Sequence, residues 1–129
     1  MKQPRLVVAA AIVAGGKVLA AARAYPPEIA GLWEFPGGKV EPDESEAEAL
    51  RRECREELGV EVQIGERVGD DLVTSDGRFL LRVYRADLLE GEPEAREHAA
   101  LRWLAAEELD EVPWLPGNRP VLKVLAALL

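Results

Sequence analysis

The stretch from Gly38 to Val60, GKVEPDESEAEALRRECREELGV, constrains this chain more than any other. Within it Glu53, Glu56 and Glu57 crowd three carboxylates into five residues. On a helix they are related as i, i+3 and i+4, a spacing that predicts convergence on one patch of one face. Like charges at these spacings cost an isolated helix roughly 0.2–0.5 kcal/mol per pair, so the arrangement asks for a cation. Carboxylates and carbonyls are hard oxygen ligands, suited to Mg²⁺ or Mn²⁺ rather than to zinc. The helix itself is well signalled. Ser45 with Glu48 fits a capping box, and Asp43 with Glu46 offers the same pattern two residues earlier. Ala47, Leu50, Cys54 and Leu58 form a narrow apolar stripe that faces a core, and Gly59 supplies a left-handed terminator.

At 129 residues the chain is expected to form one domain, residues 1–129. A formal charge of −8 argues against a protein that grips a nucleic-acid polymer by its phosphates. A free nucleotide chelated by a metal is compatible with that charge, because the metal supplies positive charge locally. Cys54, the lone cysteine, cannot form an intrachain disulfide and reads as a small buried hydrophobe. The apolar run Leu6 to Ala14 leads straight into a Gly-Gly turn, unlike a signal peptide, and is too short to span a bilayer. A cytoplasmic protein with no membrane partner is expected.

Taken in order, Arg5 to Ala14 reads as a buried strand that forms a hairpin with Val18 to Ala22 across Gly15-Gly16. Gly31 to Gly38 is a short strand stopped by a proline and two glycines, where backbone carbonyls can approach a ligand closely. Trp33 and Phe35 there fit either a core or a base-stacking surface. Val60 to Val68 and Phe79 to Leu88 read as further strands separated by a turn at Ser75-Asp76-Gly77. An acidic loop, Leu89 to Arg96, delivers Glu97 and His98 to a strand ending near Trp103. His98, the only histidine, has no pattern around it and reads as a surface residue. Ala105 to Leu109 predicts a helical turn, and Arg119 to Leu129 a final helix with Val121, Leu122, Leu125 and Leu128 on its apolar side. Asn118 fits the N-cap of that helix, with Pro120 in its first turn.

The spacing Gly38, five residues, Glu44, seven residues, Arg52-Glu53-Cys54, one residue, Glu56-Glu57, one residue, Gly59-Val60 resembles the Nudix box. Cys54 is the one departure, at a place where the family has a larger aliphatic residue. WEFPGGKVEPDES before the box and LPGNRP near the end extend the likeness to the MutT-type branch. The resemblance implies an α/β/α sandwich with a mixed central sheet, the box as loop, helix and loop over residues 38–60, and a C-terminal helix. It implies hydrolysis of a nucleoside triphosphate to monophosphate and pyrophosphate, with Mg²⁺ as cofactor and Mn²⁺ able to substitute. Metal ligands would be Glu53, Glu56, Glu57 and the carbonyl of Gly37. Glu53 or Glu97 would activate the water, while Arg52 pairs with Glu44 to hold the helix against its loop. Arg23 would contact phosphates, with Glu34, Phe35 and Gly38 in the substrate-binding set, and Asn118 would read a guanine-type base.

Several substrates share the box. Residues 61–79 contain neither proline nor tyrosine, so the marks of many ADP-ribose and diadenosine polyphosphate hydrolases are missing. Asn118 favours 8-oxo-dGTP, and sanitation of the nucleotide pool ranks first. The acidic loop and REHAALRW resemble relatives acting on CTP, dCTP or 5-methyl-dCTP, which often carry aspartate in place of Asn118, and this reading ranks a close second. A catalytically silent nucleotide sensor is the non-enzyme alternative, although such domains typically lose box glutamates that are all present here. The partner in every case is a small nucleotide, and the chain would act as a monomer or homodimer.

Overall fold

The computed structural model describes residues 3–129; Met1 and Lys2, the start of the expected domain, lie outside the described residues. Its centre is a mixed sheet built on β1 (Arg5–Ala14), which pairs antiparallel with β2 (Lys17–Ala22) through the Gly15-Gly16 turn. Along its other edge β1 runs parallel to β7 (Phe79–Glu90), from Arg5 opposite Phe79 to Val13 opposite Asp87. The main strand order is β3-β2-β1-β7-β5, where β3 is Trp33–Glu34 and β5 is Glu61–Arg67. β8 (Ala100–Leu104) adds to β2, and β6 (Leu72–Val73) to β7.

Helical layers cover both faces, which explains why β1 reads as a continuous apolar run rather than an alternating one. Val8, Ala10 and Ile12 meet Ala49, Leu50, Cys54 and Leu58 of α1 (Glu46–Leu58) on one side. Ala9 and Ala11 meet Phe35, Leu109, Trp114, Val121 and Leu125 on the other. Burying a leucine such as Leu50 or Leu58 contributes about 1.5–3 kcal/mol, so α1 is held chiefly by its apolar face. That face includes Ala49 rather than the expected Ala47, which is only partly buried. The capping box forms between Ser45 and Glu48. Glu46 goes elsewhere, accepting from Tyr84 Oη at 2.6 Å and from Arg82 at 2.8 Å, and so ties the start of α1 to β7. Gly59 ends the helix at φ 71°, its N–H donating to the Arg55 carbonyl.

Two expectations are corrected. Gly37-Gly38 is not simply a turn: Gly37–Lys39 forms β4, paired antiparallel with Val7 to Ala9 of β1. A Cβ on Gly37 would overlap the Val8 carbonyl oxygen, so this glycine is demanded by the sheet itself. The C-terminal helix is also shorter than its apolar spacing implies. Pro116–Val121 is a 3₁₀ segment with Pro120 inside it, and α2 spans only Leu122–Ala126. Val121, Leu122 and Leu125 are buried as expected, whereas Leu128 is exposed. Among the described residues no helix is long and apolar enough to cross a membrane.

Candidate active site

The cleft lies where α1, strands β3 and β4 and the segment leading into β8 meet. Arg23, Glu34, Gly37, Glu53, Glu57, Glu97 and His98 line a cavity of about 170 Å³. Four carboxylates, one imidazole and one guanidinium thus share a single small space. Six of the twelve expected site positions are brought to its wall, and the others fall behind it or away from it.

On α1 the three box glutamates divide. Each residue turns the helix by roughly 100°, so Glu53 and Glu57 stay about 40° apart while Glu56 points well to the other side. Glu53 and Glu57 line the cleft, whereas the Glu56 side chain is 57% exposed and lies outside it. The expected single patch is therefore a pair with a third carboxylate beside it. Arg52 accounts for part of this division. Its Nη1 donates to Glu53 Oε1 at 2.8 Å and to Glu56 Oε2 at 3.3 Å. Its Nε and Nη2 grip the two oxygens of Glu44 at 2.7 and 3.0 Å, and Nη2 also reaches the Lys39 carbonyl. Arg52 and Glu44 thus pair as expected, joining the helix to the loop before it. The Arg52 hydrogen bond, helped by the Glu41 N–H, holds the Glu44 carboxyl below the usual carboxylate range.

Glu57 has no such partner. The residue is 6% exposed, and its Oε2 is buried without a hydrogen bond. Burial, reinforced by the nearby Glu53, Glu34 and Glu97 charges, pushes its carboxyl far above the usual range. A buried oxygen without a donor, faced by three more carboxylates, is a donor set for a hard cation. Gly38 keeps the approach open, because a Cβ there would lie 2.6 Å from the Glu53 carboxyl carbon. With the side chains as they stand, no three His, Cys, Asp or Glu groups among the described residues close around one point. Arg52 draws Glu53 towards Glu44 and His98 stands between Glu34 and Glu57, which keeps the oxygens apart.

Glu97 reaches the cleft on a strap laid across the end of α1. The Glu94 N–H donates to the Leu58 carbonyl at 2.9 Å, the Arg96 N–H to the Glu57 backbone carbonyl at 3.3 Å, and Arg96 Nη1 to the Arg55 backbone carbonyl at 3.2 Å. Gly59 accommodates that guanidinium, so its missing side chain serves packing as well as the left-handed turn. The same strap brings in His98, which sequence reasoning left on the surface. Its side chain is only 6% exposed, with Nε2 3.0 Å from Glu34 Oε2 and 3.7 Å from Glu57 Oε1. One signal could have found it: the residue directly follows a glutamate already expected at the site.

On the opposite wall Arg23 Nη1 donates to both oxygens of Glu34, at 3.0 and 3.2 Å. Phe35 and Asn118 stand apart from the cleft wall. The Phe35 ring is 3% exposed and packs on Trp114 with centroids 4.8 Å apart, so it is a core residue and offers no stacking face. Asn118 does not cap the last helix. It is buried within the 3₁₀ segment, and its Oδ1 accepts from the Phe35 N–H at 3.3 Å. Cys54 sits in the core beneath α1, where burial pushes its thiol up to about 12.

The chain is similar to known proteins over nearly its whole length. The NUDIX domain family model matches residues 3–125. A Mycobacterium tuberculosis protein provisionally named 8-oxo-dGTP diphosphatase 2 is 52% identical over 128 residues, covering 97% of this chain and 90% of that relative. The Escherichia coli CTP pyrophosphohydrolase is 46% identical over 123 residues, covering 95% of this chain and 91% of the relative. The crystal structure of a MutT NUDIX hydrolase from Burkholderia pseudomallei superposes with a TM-score of 0.83 at 35% identity, covering 96% of this chain and 99% of that one. With its fold, its box and nearly its whole length accounted for in this way, the chain belongs to the Nudix hydrolases, enzymes that generally need a divalent metal ion.

Proposed function

We propose that this enzyme is a Mg²⁺-dependent nucleoside triphosphate pyrophosphohydrolase, acting on 8-oxo-dGTP in sanitation of the cytoplasmic nucleotide pool. The observation that carries the reading is the cleft itself, whose wall brings Glu53, Glu57 and Glu97 together with Arg23 and Gly37. Glu53 and Glu57 would hold Mg²⁺ with the Gly37 carbonyl, Glu56 joining by rotation about its exposed side chain, and Mn²⁺ would substitute. The ion, when bound, supplies charge neutralisation at the phosphates and a lowered pKa for water. Arg23 and the backbone at Gly38 grip and orient the phosphate chain for in-line attack. Glu53 or Glu97 takes the proton of the attacking water, the bond from a phosphorus to its bridging oxygen breaks, and pyrophosphate leaves with the nucleoside monophosphate as the second product. Arg52 and Glu44 fix α1 so that Glu53 keeps its place. The unit at work is a single domain, as monomer or homodimer.

A second reading is hydrolysis of CTP, dCTP or 5-methyl-dCTP, which Asn118 as placed accommodates equally well. The Asn118 oxygen is committed to the Phe35 N–H, which leaves the amide NH₂ as the end offered to a base. An NH₂ reads an acceptor edge, which guanine and cytosine both present, and does not by itself pick out the extra N–H of 8-oxoguanine. The test is kcat/KM for 8-oxo-dGTP, dGTP, dCTP, 5-methyl-dCTP and CTP in parallel with Mg²⁺, for wild type and Asn118→Ala. Preference for 8-oxo-dGTP over dGTP, abolished by Asn118→Ala, is the expected result. Preference for the cytidine nucleotides would replace the first reading with the second. Nucleotide binding with no turnover by either wild type or Glu53→Gln would leave only a sensor.

A further inference from the structure

His98 is the buried polar group of the cleft that the reaction described above does not use. Both of its neighbours on the Nε2 side are carboxylates, Glu34 Oε2 at 3.0 Å and Glu57 Oε1 at 3.7 Å. Carboxylates accept, so Nε2 carries the hydrogen and donates to Glu34. Glu34 in turn receives Arg23 Nη1 on both oxygens, while Arg23 Nε donates to the Tyr25 carbonyl at 3.2 Å. Among the described residues Arg23 Nη2 makes no hydrogen bond, so one edge of the guanidinium is left for a ligand. The groups form one line across the cleft: Glu57, His98, Glu34, Arg23.

Glu34 has weak local support, since it ends a two-residue strand. Held by Arg23 alone, the pair could swing together on two long side chains and still keep its ion pair. A rigid ring that reaches it from a strap on the far wall removes that freedom. We propose that His98 is a positioning residue for phosphate binding: by donating to Glu34 it holds Arg23 with its free guanidinium edge towards the phosphate chain of a nucleoside triphosphate. This rests on the reading of the cleft as a nucleotide hydrolase site. It adds a specific division of labour, in which the strap carrying Glu97 also sets the grip of the opposite wall.

The test compares His98→Gln, whose amide N–H reaches the position of Nε2, with His98→Asn, whose amide stops at the position of Nδ1. His98→Leu, Arg23→Ala and the double variant Arg23→Ala with His98→Asn complete the set. Binding of non-hydrolysable α,β-methylene CTP and α,β-methylene dGTP in Mg²⁺ is measured by calorimetry, steady-state KM and kcat on the best substrate, and Mn²⁺ affinity by electron paramagnetic resonance. The expected result is an analogue affinity and a KM weakened about tenfold in His98→Asn, restored in His98→Gln, with kcat and Mn²⁺ affinity nearly unchanged. Arg23→Ala should absorb the effect, so that the double variant is no worse than Arg23→Ala alone. Equal loss in His98→Gln and His98→Asn, additivity with Arg23→Ala, or a fall in Mn²⁺ affinity matching that in the analogue would overturn the proposal. If wild type neither binds the analogues nor hydrolyses a nucleotide, the enzyme reading fails first. If wild type does both and His98→Asn matches it, this proposal alone fails.

Discussion

Arg52 and Glu57 lie little more than one turn apart on the same helix, and the chain treats them in opposite ways. Arg52 is saturated: Glu44, Glu53, Glu56 and the Lys39 carbonyl all accept from one guanidinium. Glu57 is buried more deeply, keeps one oxygen without a donor, and faces carboxylates instead of cations. The first arrangement secures a structure, since a bidentate arginine fixes helix and loop in one register. The second costs stability until something positive arrives. Adjacent turns of one helix thus hold a fully paired arginine and an unpaired buried carboxyl, and the difference lies in which neighbours the fold supplies.

The contrast can be broken most severely at Glu57. Glu57→Gln should lower kcat by about 10²–10³-fold, the scale of losing several kcal/mol of metal-derived stabilisation. The same change should leave the metal-free protein as stable or more stable, and the gain should depend on pH. In the unfolded chain Glu57 releases its proton near the ordinary 4.5, while burial in the folded chain holds that proton to higher pH. Between those limits the folded state binds more protons, so wild-type stability falls as pH rises, by at most about 1.4 kcal/mol per pH unit. Urea unfolding of metal-free wild type and Glu57→Gln at pH 5, 7 and 8.5 checks this. The two should converge at pH 5 and separate at pH 8.5, and curves that stay parallel would remove the buried charge from the account.

A smaller effect is expected at Gly38. Alanine there would press on the flexible end of Glu53 rather than on backbone, so the fold should tolerate it. Displacing a carboxylate by about 1 Å should still cost up to about 10²-fold in kcat/KM. Circular dichroism and melting temperature, read beside kinetics, separate the two consequences, and a melting loss as large as the kinetic one would make Gly38 a structural glycine like Gly37. The smallest effect belongs to the saturated side. Arg52→Lys keeps the charge but not the fork, and should lower the melting temperature by about 3 °C with only a modest change in kcat. A kinetic loss as large as that of Glu57→Gln would place Arg52 in the reaction itself.

Sequence reading served well where the determinants are local. The Ser45 and Glu48 cap, the Gly59 terminator, the Gly15-Gly16 hairpin and the Arg52 to Glu44 pairing all depend on neighbours within a helix turn or two. It served poorly where a residue's role is set by a distant partner. His98 belongs to the cleft only because the strap carries it over the end of α1, and Asn118 faces Phe35 across most of the sequence. Gly37–Lys39 became a strand because β1 lies beside it, which no pattern within those residues announces. At the C-terminus the spacing of Val121, Leu122 and Leu125 marked the buried side correctly. A short 3₁₀ segment followed by a short helix buries the same three, and Pro120 favours that division.

The parallel register of β1 and β7 governs the order in which the site can come into being. β1 is made first, yet one of its two edges waits for residues roughly two-thirds of the way along the chain. During synthesis the hairpin and the acidic helix are complete long before that edge can close, and the strap bearing Glu97 and His98 emerges later still. Local helices and hairpins form within microseconds, whereas joining remote strands must overcome loop-closure entropy before any contact rewards it. The carboxylates of α1 therefore spend the early life of the chain in water, fully charged, and meet their opposite wall only when the ladder zips. Assembly of the candidate cleft should coincide with the joining of β1 to β7, so that a chain lacking that ladder lacks the opposite wall of the site.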